Sequence, residues 1–497
     1  MKSLAILILL CLSIQMFVCT EETFQKNQRI LRELAESDET CLYALLDAGS
    51  SSTKIRLYKS VCRRTSQIPQ LEALNLKNNE GKDQFAGKDK IKIGGRTIGL
   101  SKVAKNEFTE YFNNAFQTIN DMKAFANLQT IKPFLFLRAT AGLRLLPQDD
   151  QEKILSEVRN IFRQQQDFLF LDDNWAKIIT GQEEGLFLWL SMNYAYKNIK
   201  HQNQQFDPSK TVAVIDIGGA SAQTAFYSQS NSNKFLDLPE KTRVQIYSNT
   251  ILGYGNDQII QAVLDKNGFE SCFQNSSDGL FNQLKNSTGL NVTVIGNYDF
   301  VKCTNIMLEI MQINDCNYLN NNSDKDCSKN SKLNKLTDQK QIIGASSIFY
   351  AKDELYKKFN MSGDTIRLKE FREKVQEYCK QDLLQAQYDE NNRLFTSCIQ
   401  MMWVSTFLID GLGLLNNEVT AIMKYENYNV DWSIGSLIYD INTLQCDYID
   451  IGECTDKIQI QDANLEREES EFKTPSSSLV INSFFSLFIL FIANLLV

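Results

Sequence analysis

Two stretches of the chain, LLDAGSSSTKIRLY at residues 45–58 and VIDIGGASAQTAFY at 214–227, superpose at an offset of 169 residues, with identity at Asp47/Asp216, Gly49/Gly218, Ser52/Ser221 and Tyr58/Tyr227. Each starts as an apolar strand, passes through a tip of glycine and small residues, and resumes as a strand, so the chain carries one hairpin twice. Glycine lets such a tip turn and approach a ligand closely, while small hydroxyl residues leave successive N–H groups open toward an anion. An aspartate closing the first strand is placed to hold a divalent cation, directly or through its waters. Asp-x-Gly alone is common in turns. Two copies facing each other would grip a polyphosphate and its metal from both sides.

A chain of 497 residues, 43% hydrophobic and 23% charged, is too long for one core and suits two globular domains. Its net charge of −8 gives no electrostatic footprint for nucleic acid, so a polyanionic ligand needs a local site. The sole histidine, His201, lies in the polar stretch KNIKHQNQQFDPSK and reads as a solvated loop residue. One histidine leaves no His-rich zinc site, and a Ser-His-Asp or Cys-His nucleophile would need His201 itself. A general base must then be a carboxylate, or the chemistry rests on a hard metal held by oxygens.

Residues 1–20 read as a secretory signal peptide, with Lys2 ahead of an apolar run from Leu4 to Val18. Removing them leaves an even set of ten cysteines, which in an oxidising compartment implies disulfides whose connectivity stays open. Sequons at Asn275, Asn286, Asn291, Asn321 and Asn360 mark a solvent-facing region between residues 275 and 360. Residues 459–478 read as a polar linker and 479–497 as an apolar tail with no charge after it. That tail is either a lipid-anchor signal, with Ser476, Ser477 and Ser478 as attachment candidates, or a single membrane span. Both place the body outside the cytosol and tie it to a membrane.

Two further stretches are unusual. LFLRATAGLRLLP at 135–147 runs from a strand into small residues at a helix entry, where backbone N–H groups collect. ITGQEEGLFLWLSMNY at 179–194 sets Glu183 and Glu184 between two glycines ahead of an apolar helical run. Adjacent residues point in different directions, so at most one glutamate faces a given site. Favourable charge in the first helical turn is the plainer explanation for the pair.

In order along the chain, DAGSSSTKIRLYK, ATAGLRLL, GQEEGLFLW and DIGGASAQ resemble the first four apyrase conserved regions of the ecto-nucleoside triphosphate diphosphohydrolase family. LGYG at 252–255 and DWSIGS at 431–436 resemble two later segments, so the resemblance spans about residues 40–455. It implies an α/β, two-lobed, actin-like (ribonuclease H-like) fold with the active site in the cleft between lobes. Residues 40–178 with 425–458 would form the first lobe and 179–424 the second. The implied activity is hydrolysis of nucleoside tri- or diphosphates to orthophosphate with Ca²⁺ or Mg²⁺.

Carried over by motif, Ser50, Ser51 and Ser52 hold the phosphate chain from the first lobe, and Gly218, Gly219, Ala220 and Ser221 from the second. Asp47 and Asp216 match the aspartates that hold the metal's water shell, and Thr140 with Ala141 orients the terminal phosphate. Glu184 matches the catalytic base, with Ser221 and Gln223 fixing the water it activates; Glu183 faces elsewhere. ASSIFYAKDEL at 345–355 resembles the segment donating a base-stacking aromatic, pointing to Tyr350 or else Phe349, where core packing is the commoner explanation. Trp432 and Gly435 are expected to be structural. Cys379 with Cys398 resembles a family disulfide, and Cys316 with Cys327 is a second candidate pair. Ser52 stands where many cell-surface members carry histidine, which leaves the tri- or diphosphate preference open, and Ala222 stands where many members carry threonine. An exopolyphosphatase-like hydrolase and a catalytically inactive surface binding protein are the alternatives on this fold.

Overall fold

The computed structural model describes residues 25–463 except 35, 63–67, 75, 79, 200–205, 240–241, 277–279, 314–332, 334–335, 337, 384–392 and 450–456. The signal segment, His201, Asn321, Cys316, Cys327, the serines at 476–478 and the apolar tail therefore lie outside the described residues.

Two sheets organise the rest. The first has five strands: β1 (Thr40–Ala48), β2 (Thr53–Val61), β3 (Glu72–Ala73), β4 (Phe134–Ala139) and β5 (Ala176–Ile178), in the order β3-β2-β1-β4-β5. The second has eight: β6 (Ala213–Ile217), β7 (Ser221–Tyr227), β8 (Lys234–Leu238), β9 (Thr242–Leu252), β10 (Ile342–Ser346), β11 (Thr365–Arg367), β12 (Glu418–Ala421) and β13 (Gln459–Asp462). Their order is β11-β12-β10-β6-β7-β9-β8-β13. Both sheets contain the same unit, an antiparallel hairpin whose first strand also pairs in parallel with a later strand: β1–β2 with β4, and β6–β7 with β10.

The registers repeat as well. Asp47 lies opposite Lys54 and Ala48 opposite Thr53; at the same offset, Asp216 lies opposite Gln223 and Ile217 opposite Ala222. Strand alternation then decides which way the aspartates face. Ala44 and Leu46 pack with Phe112 and Phe116 on the outer side of the first sheet, and Ile215 and Ile217 pack into the outer core of the second. Leu45 and Val214 belong instead to one central cluster. Asp47 and Asp216 each follow two residues later on those inward faces, at the strand ends.

The central cluster contains two helices, α2 (Gly181–Ala195) and α5 (Ser433–Ile449). From Glu184 to Ala195 helix α2 is buried on all sides, as its apolar run requires, with β6, β7 and β9 on one flank and α5 on another. Glycines permit this crowding. A Cβ at Gly181 would stand 2.2 Å from the Thr250 side chain, and one at Gly185 would stand 2.8 Å from Ser248 Oγ, so their four-residue spacing forms the helix face laid on β9. A Cβ at Gly435 would lie 2.1 Å from the Phe187 carbonyl oxygen, and the Gly435 N–H donates to Ser191 Oγ at 2.8 Å, which makes it the crossing point of α5 on α2. Trp432 is buried beside it.

The first four residues of the expected polar linker form a strand instead. Gln459–Asp462 form β13, which pairs with β8, and Lys234 bonds to Asp462 across the ladder. An edge strand needs backbone partners more than apolar side chains, so a polar tetrapeptide serves. Disulfides join Cys379 to Cys398, Cys41 to Cys62 across the open end of the first hairpin, and Cys272 to Cys303. Of the sequons, Asn291 and Asn360 are exposed. Asn275 is half-buried, with Oδ1 accepting the Tyr298 N–H, and Asn286 Oδ1 closes a turn through the N–H groups of Thr288 and Leu290.

Candidate active site

The two hairpin tips are built by the same hydrogen bond. The Gly49 N–H donates to the Ser52 carbonyl at 2.9 Å, and the Gly218 N–H donates to the Ser221 carbonyl at 3.0 Å. The tips also meet: a Cβ at Gly219 would stand 2.6 Å from Ser50 Oγ. Ser50 is wedged further between Gly142, whose Cβ would lie 2.7 Å from its Cα, and Gly99, whose Cβ would lie 2.4 Å from its carbonyl oxygen. At Gly142 and Gly99 the neighbouring atoms are backbone, so only glycine fits there, whereas at Gly219 they are side-chain ends that can turn aside. Ser51 is exposed and Ser52 buried.

Residues 253–257, which lead into helix α3 (Asn256–Leu264), wrap the second tip from behind. The N–H groups of Asn256, Asp257 and Gly253 donate to the carbonyls of Gly218, Gly219 and Ala220 at 2.9, 2.9 and 2.8 Å. With its carbonyls engaged there, the tip has its remaining amides for a ligand. Gly253, at φ 90°, makes the turn, and a Cβ at Gly255 would lie 2.2 Å from the Ala220 nitrogen. This accounts for the LGYG segment.

Thr140 sits where β4 enters the short helix α1 (Ala141–Arg144). Its N–H donates to the Ala48 carbonyl at 3.1 Å, which fixes it next to the first tip, and Thr140 and Ala141 are both buried. In the second sheet Ser346 ends β10 beside Ile217, and its side chain favours the Asp216 charge. Its φ of 52° is a left-handed conformation rarely adopted by a side-chain-bearing residue. Helix α4 (Ser347–Lys358) follows. On it Tyr350 is 56% exposed, which excludes core packing, and touches Phe349 edge-on at 5.5 Å.

The paired glutamates separate by function. Thr180 caps α2: its Oγ1 accepts the Glu183 N–H at 3.1 Å while Glu183 Oε2 accepts the Thr180 N–H at 2.7 Å. Glu183 is thereby occupied in the cap. Glu184, one residue on, is buried and turns the other way, with Oε2 accepting from Arg144 Nη2 at 2.6 Å and Gln223 Nε2 at 3.4 Å. Gln223 Nε2 also reaches Ser221 Oγ at 2.6 Å and Thr250 Oγ1 at 3.1 Å, and Arg144 Nη2 reaches Ser221 Oγ at 3.4 Å. Glu184, Ser221 and Gln223 thus form one cluster beside the second tip.

Three carboxyls carry their charge at a cost. Burial lifts Glu184 to a pKa of about 7, opposed by Arg144 and reinforced by Asp216 and Asp47. Burial lifts Asp47 to about 6; Lys54 pulls it down, and Asp431 and Asp216 push it up. Asp216 is raised for the same first reason, and its Oδ1 is buried with no hydrogen-bond partner. Asp431, by contrast, is held low by Arg56, 3.0 Å away, and by Ser433, against its burial. A group at the carboxyl ends of β1 and β6 that welcomed both aspartates as anions would be a hard cation with oxygen ligands.

Several residues of this site are absent from the sequence expectations. Arg144 is one; Lys54, with Nζ 3.9 Å from Asp47, is another. Arg56 bridges Asp431 and Asp89 at 3.0 and 2.8 Å, and Tyr58 meets Ser433 at 2.9 Å, which ties DWSIGS to the first hairpin. The repeat itself held the signal for Lys54, because position 54 falls on Gln223 at the same offset.

The architecture is the two-lobed actin-like α/β fold. A solved structure described as nucleoside triphosphate hydrolases from Neospora caninum superposes with a TM-score of 0.57, covering 88% of this chain and 98% of that one at 13% identity. In sequence, the chain is 26% identical over 448 residues to a probable apyrase 3 of Arabidopsis thaliana, covering 81% of this chain and 83% of that protein. It is 25% identical over 445 residues to ectonucleoside triphosphate diphosphohydrolase 1 of Bos taurus, covering 79% and 80% respectively. The model of one family matches residues 34–462, which takes in both hairpins, the helix carrying Glu184 and the final strand: the chain belongs to the GDA1/CD39 (nucleoside phosphatase) family.

Proposed function

We propose that the protein hydrolyses nucleoside tri- or diphosphates, releasing the terminal phosphate by direct attack of water, outside the cytosol. The observation that carries this is the contact between two like-built tips, Ser50 against Gly219, with a buried carboxylate cluster at their edge. In this reading residues 40–178 and 425–458 form one jaw and 179–424 the other.

The amides and hydroxyls of Ser50, Ser51 and Ser52 bind the phosphate chain from one side, and those of Gly219, Ala220 and Ser221 from the other, while the Gly218 N–H, given to the Ser221 carbonyl, closes the tip. Thr140, with Ala141, orients the terminal phosphate. Ser221 and Gln223 fix a water against the phosphorus, and Glu184, deprotonated, takes its proton as the bond forms in line with the leaving phosphate. Asp47 and Asp216 would hold Ca²⁺ or Mg²⁺ through its waters; the orphaned Asp216 Oδ1 and the raised Asp47 suit such a partner. The ion, when bound, supplies neutralisation of the phosphate charge. A positioned base contributes about 10²- to 10⁴-fold, so preorganised donors carry most of the acceleration. Tyr350, exposed one turn into α4, is available to stack on the nucleobase.

A secretory leader, disulfides and sequons support an extracellular or lumenal site of action, with the apolar tail as membrane tether. Among the described residues no helix is long and apolar enough to cross a membrane. The base assignment is tested by Glu184→Gln: turnover should fall at least 100-fold while nucleotide still raises the melting temperature. A variant that keeps most of its turnover would remove Glu184 from the mechanism.

A further inference from the structure

We propose that Arg144 is the positioning residue of the base, holding the Glu184 carboxylate ionised and aimed at the Ser221–Gln223 edge of the cleft. This rests on the reading of Glu184 as base and adds to it a residue that no motif expectation assigned a role.

The placement is specific. Arg144 is the last residue of the four-residue helix α1, and its N–H donates back to the Thr140 carbonyl at 3.2 Å, so the geometry that sets Thr140 also sets Arg144. Its side chain is 14% exposed and runs under the cleft floor: Nη1 reaches the Ile179 carbonyl at 3.4 Å, and Nη2 reaches Glu184 Oε2 and Ser221 Oγ at 2.6 and 3.4 Å. Arg144 comes from the end of the first sheet and Ser221 from the second, so one guanidinium joins both halves at the base.

The charges around Glu184 give the contact its purpose. Asp216 on β6 and Asp47 on β1 repel its charge, burial opposes it, and Arg144 is the cation that favours it. Gln223 on β7 contributes one longer hydrogen bond at 3.4 Å. Without Arg144 the carboxyl would hold its proton through neutral pH and fail as a base. The other obvious use of an arginine in a phosphate cleft is to grip phosphate. Here Nη2 is already on Glu184, and Nε is buried. A plain structural ion pair is the remaining alternative, and buried pairs often add little net stability.

The two uses differ in how the defect depends on pH. Arg144→Gln and Arg144→Lys are compared with the wild-type protein in kcat and kcat/KM for nucleotide at saturating divalent metal, from pH 5.5 to 9.5, with nucleotide-induced melting shifts as the check on folding. We expect the acid limb of kcat/KM to move up by about one pH unit or more in Arg144→Gln, giving roughly an eightfold or larger loss at pH 6.5 that shrinks as pH rises. Arg144→Lys should fall between Arg144→Gln and the wild type. A loss of equal size at every pH, with an unmoved midpoint, overturns the proposal in favour of a structural pair. A tenfold rise in KM with kcat and midpoint unchanged overturns it in favour of a phosphate contact. Failure of the base reading itself shows separately, as an active Glu184→Gln.

Discussion

Replacing Glu184 by glutamine should stabilise the protein while disabling it, with a gain that depends on pH in a calculable way. In the folded protein Glu184 titrates at about 7 against an ordinary 4.5, because burial and the charges of Asp216 and Asp47 outweigh the attraction of Arg144. A carboxyl raised on folding binds more protons folded than unfolded between those two values. Its stabilising contribution is complete below about pH 4.5 and is lost as pH rises through 7. At ~1.4 kcal/mol per unit the cost of holding the charge at pH 8 is roughly 3 kcal/mol. Glutamine keeps the shape and an acceptor for Arg144 without the charge. With an unfolding entropy of ~2.1 cal/mol/K per residue and roughly 400 described residues, Tm should rise by about 3–4 °C at pH 8 and hardly at all at pH 4.5. The assay is thermal unfolding of both proteins from pH 4.5 to 8 in chelator, so that no divalent ion masks the carboxylates. A variant less stable than wild type at pH 8, or a difference that ignores pH, would refute the reasoning and make the Arg144–Glu184 pair a net structural bond.

Two other outcomes follow from the tips. Gly219→Val puts branched carbon where Ser50 Oγ and Asp257 Oδ2 already stand 2.6 and 2.8 Å from the Cβ position, so turnover should drop at least tenfold with Tm within about 2 °C of wild type, read by phosphate release and melting. Lys54→Met removes the ammonium facing Asp47; Ca²⁺ should then bind about tenfold more tightly by calorimetry, the order that a partly exposed charge a few ångströms away exerts.

How far the site could be read in advance depended on whether its chemistry was local. The tips were legible because close backbone approach demands glycine and small hydroxyls in a row, and because two copies at one offset are hard to obtain by chance. The offset also contains the register: Asp47 against Lys54, Asp216 against Gln223. The division between Glu183 and Glu184 was legible as geometry, although the cap formed with Thr180 was not named. Arg144 was not found because its partner lies 40 residues ahead, and only the fold brings them together. Arg56 and Asp431, 375 residues apart, were invisible for the same reason. Strand β13 was read as linker because its four residues are mostly polar and its pairing rests on backbone groups, which leave no hydropathy pattern.

The proposed activity is that of a metal-assisted phosphate clamp acting on nucleotides. It is tested most directly by following orthophosphate release from ATP, ADP, UDP, GDP and long-chain polyphosphate by the purified protein, with Ca²⁺, with Mg²⁺ and with chelator. The expected result is release from one or more of the nucleotides with either metal, little from polyphosphate, and loss of activity in chelator. Release that persists in chelator, or that is fastest from polyphosphate, would contradict it.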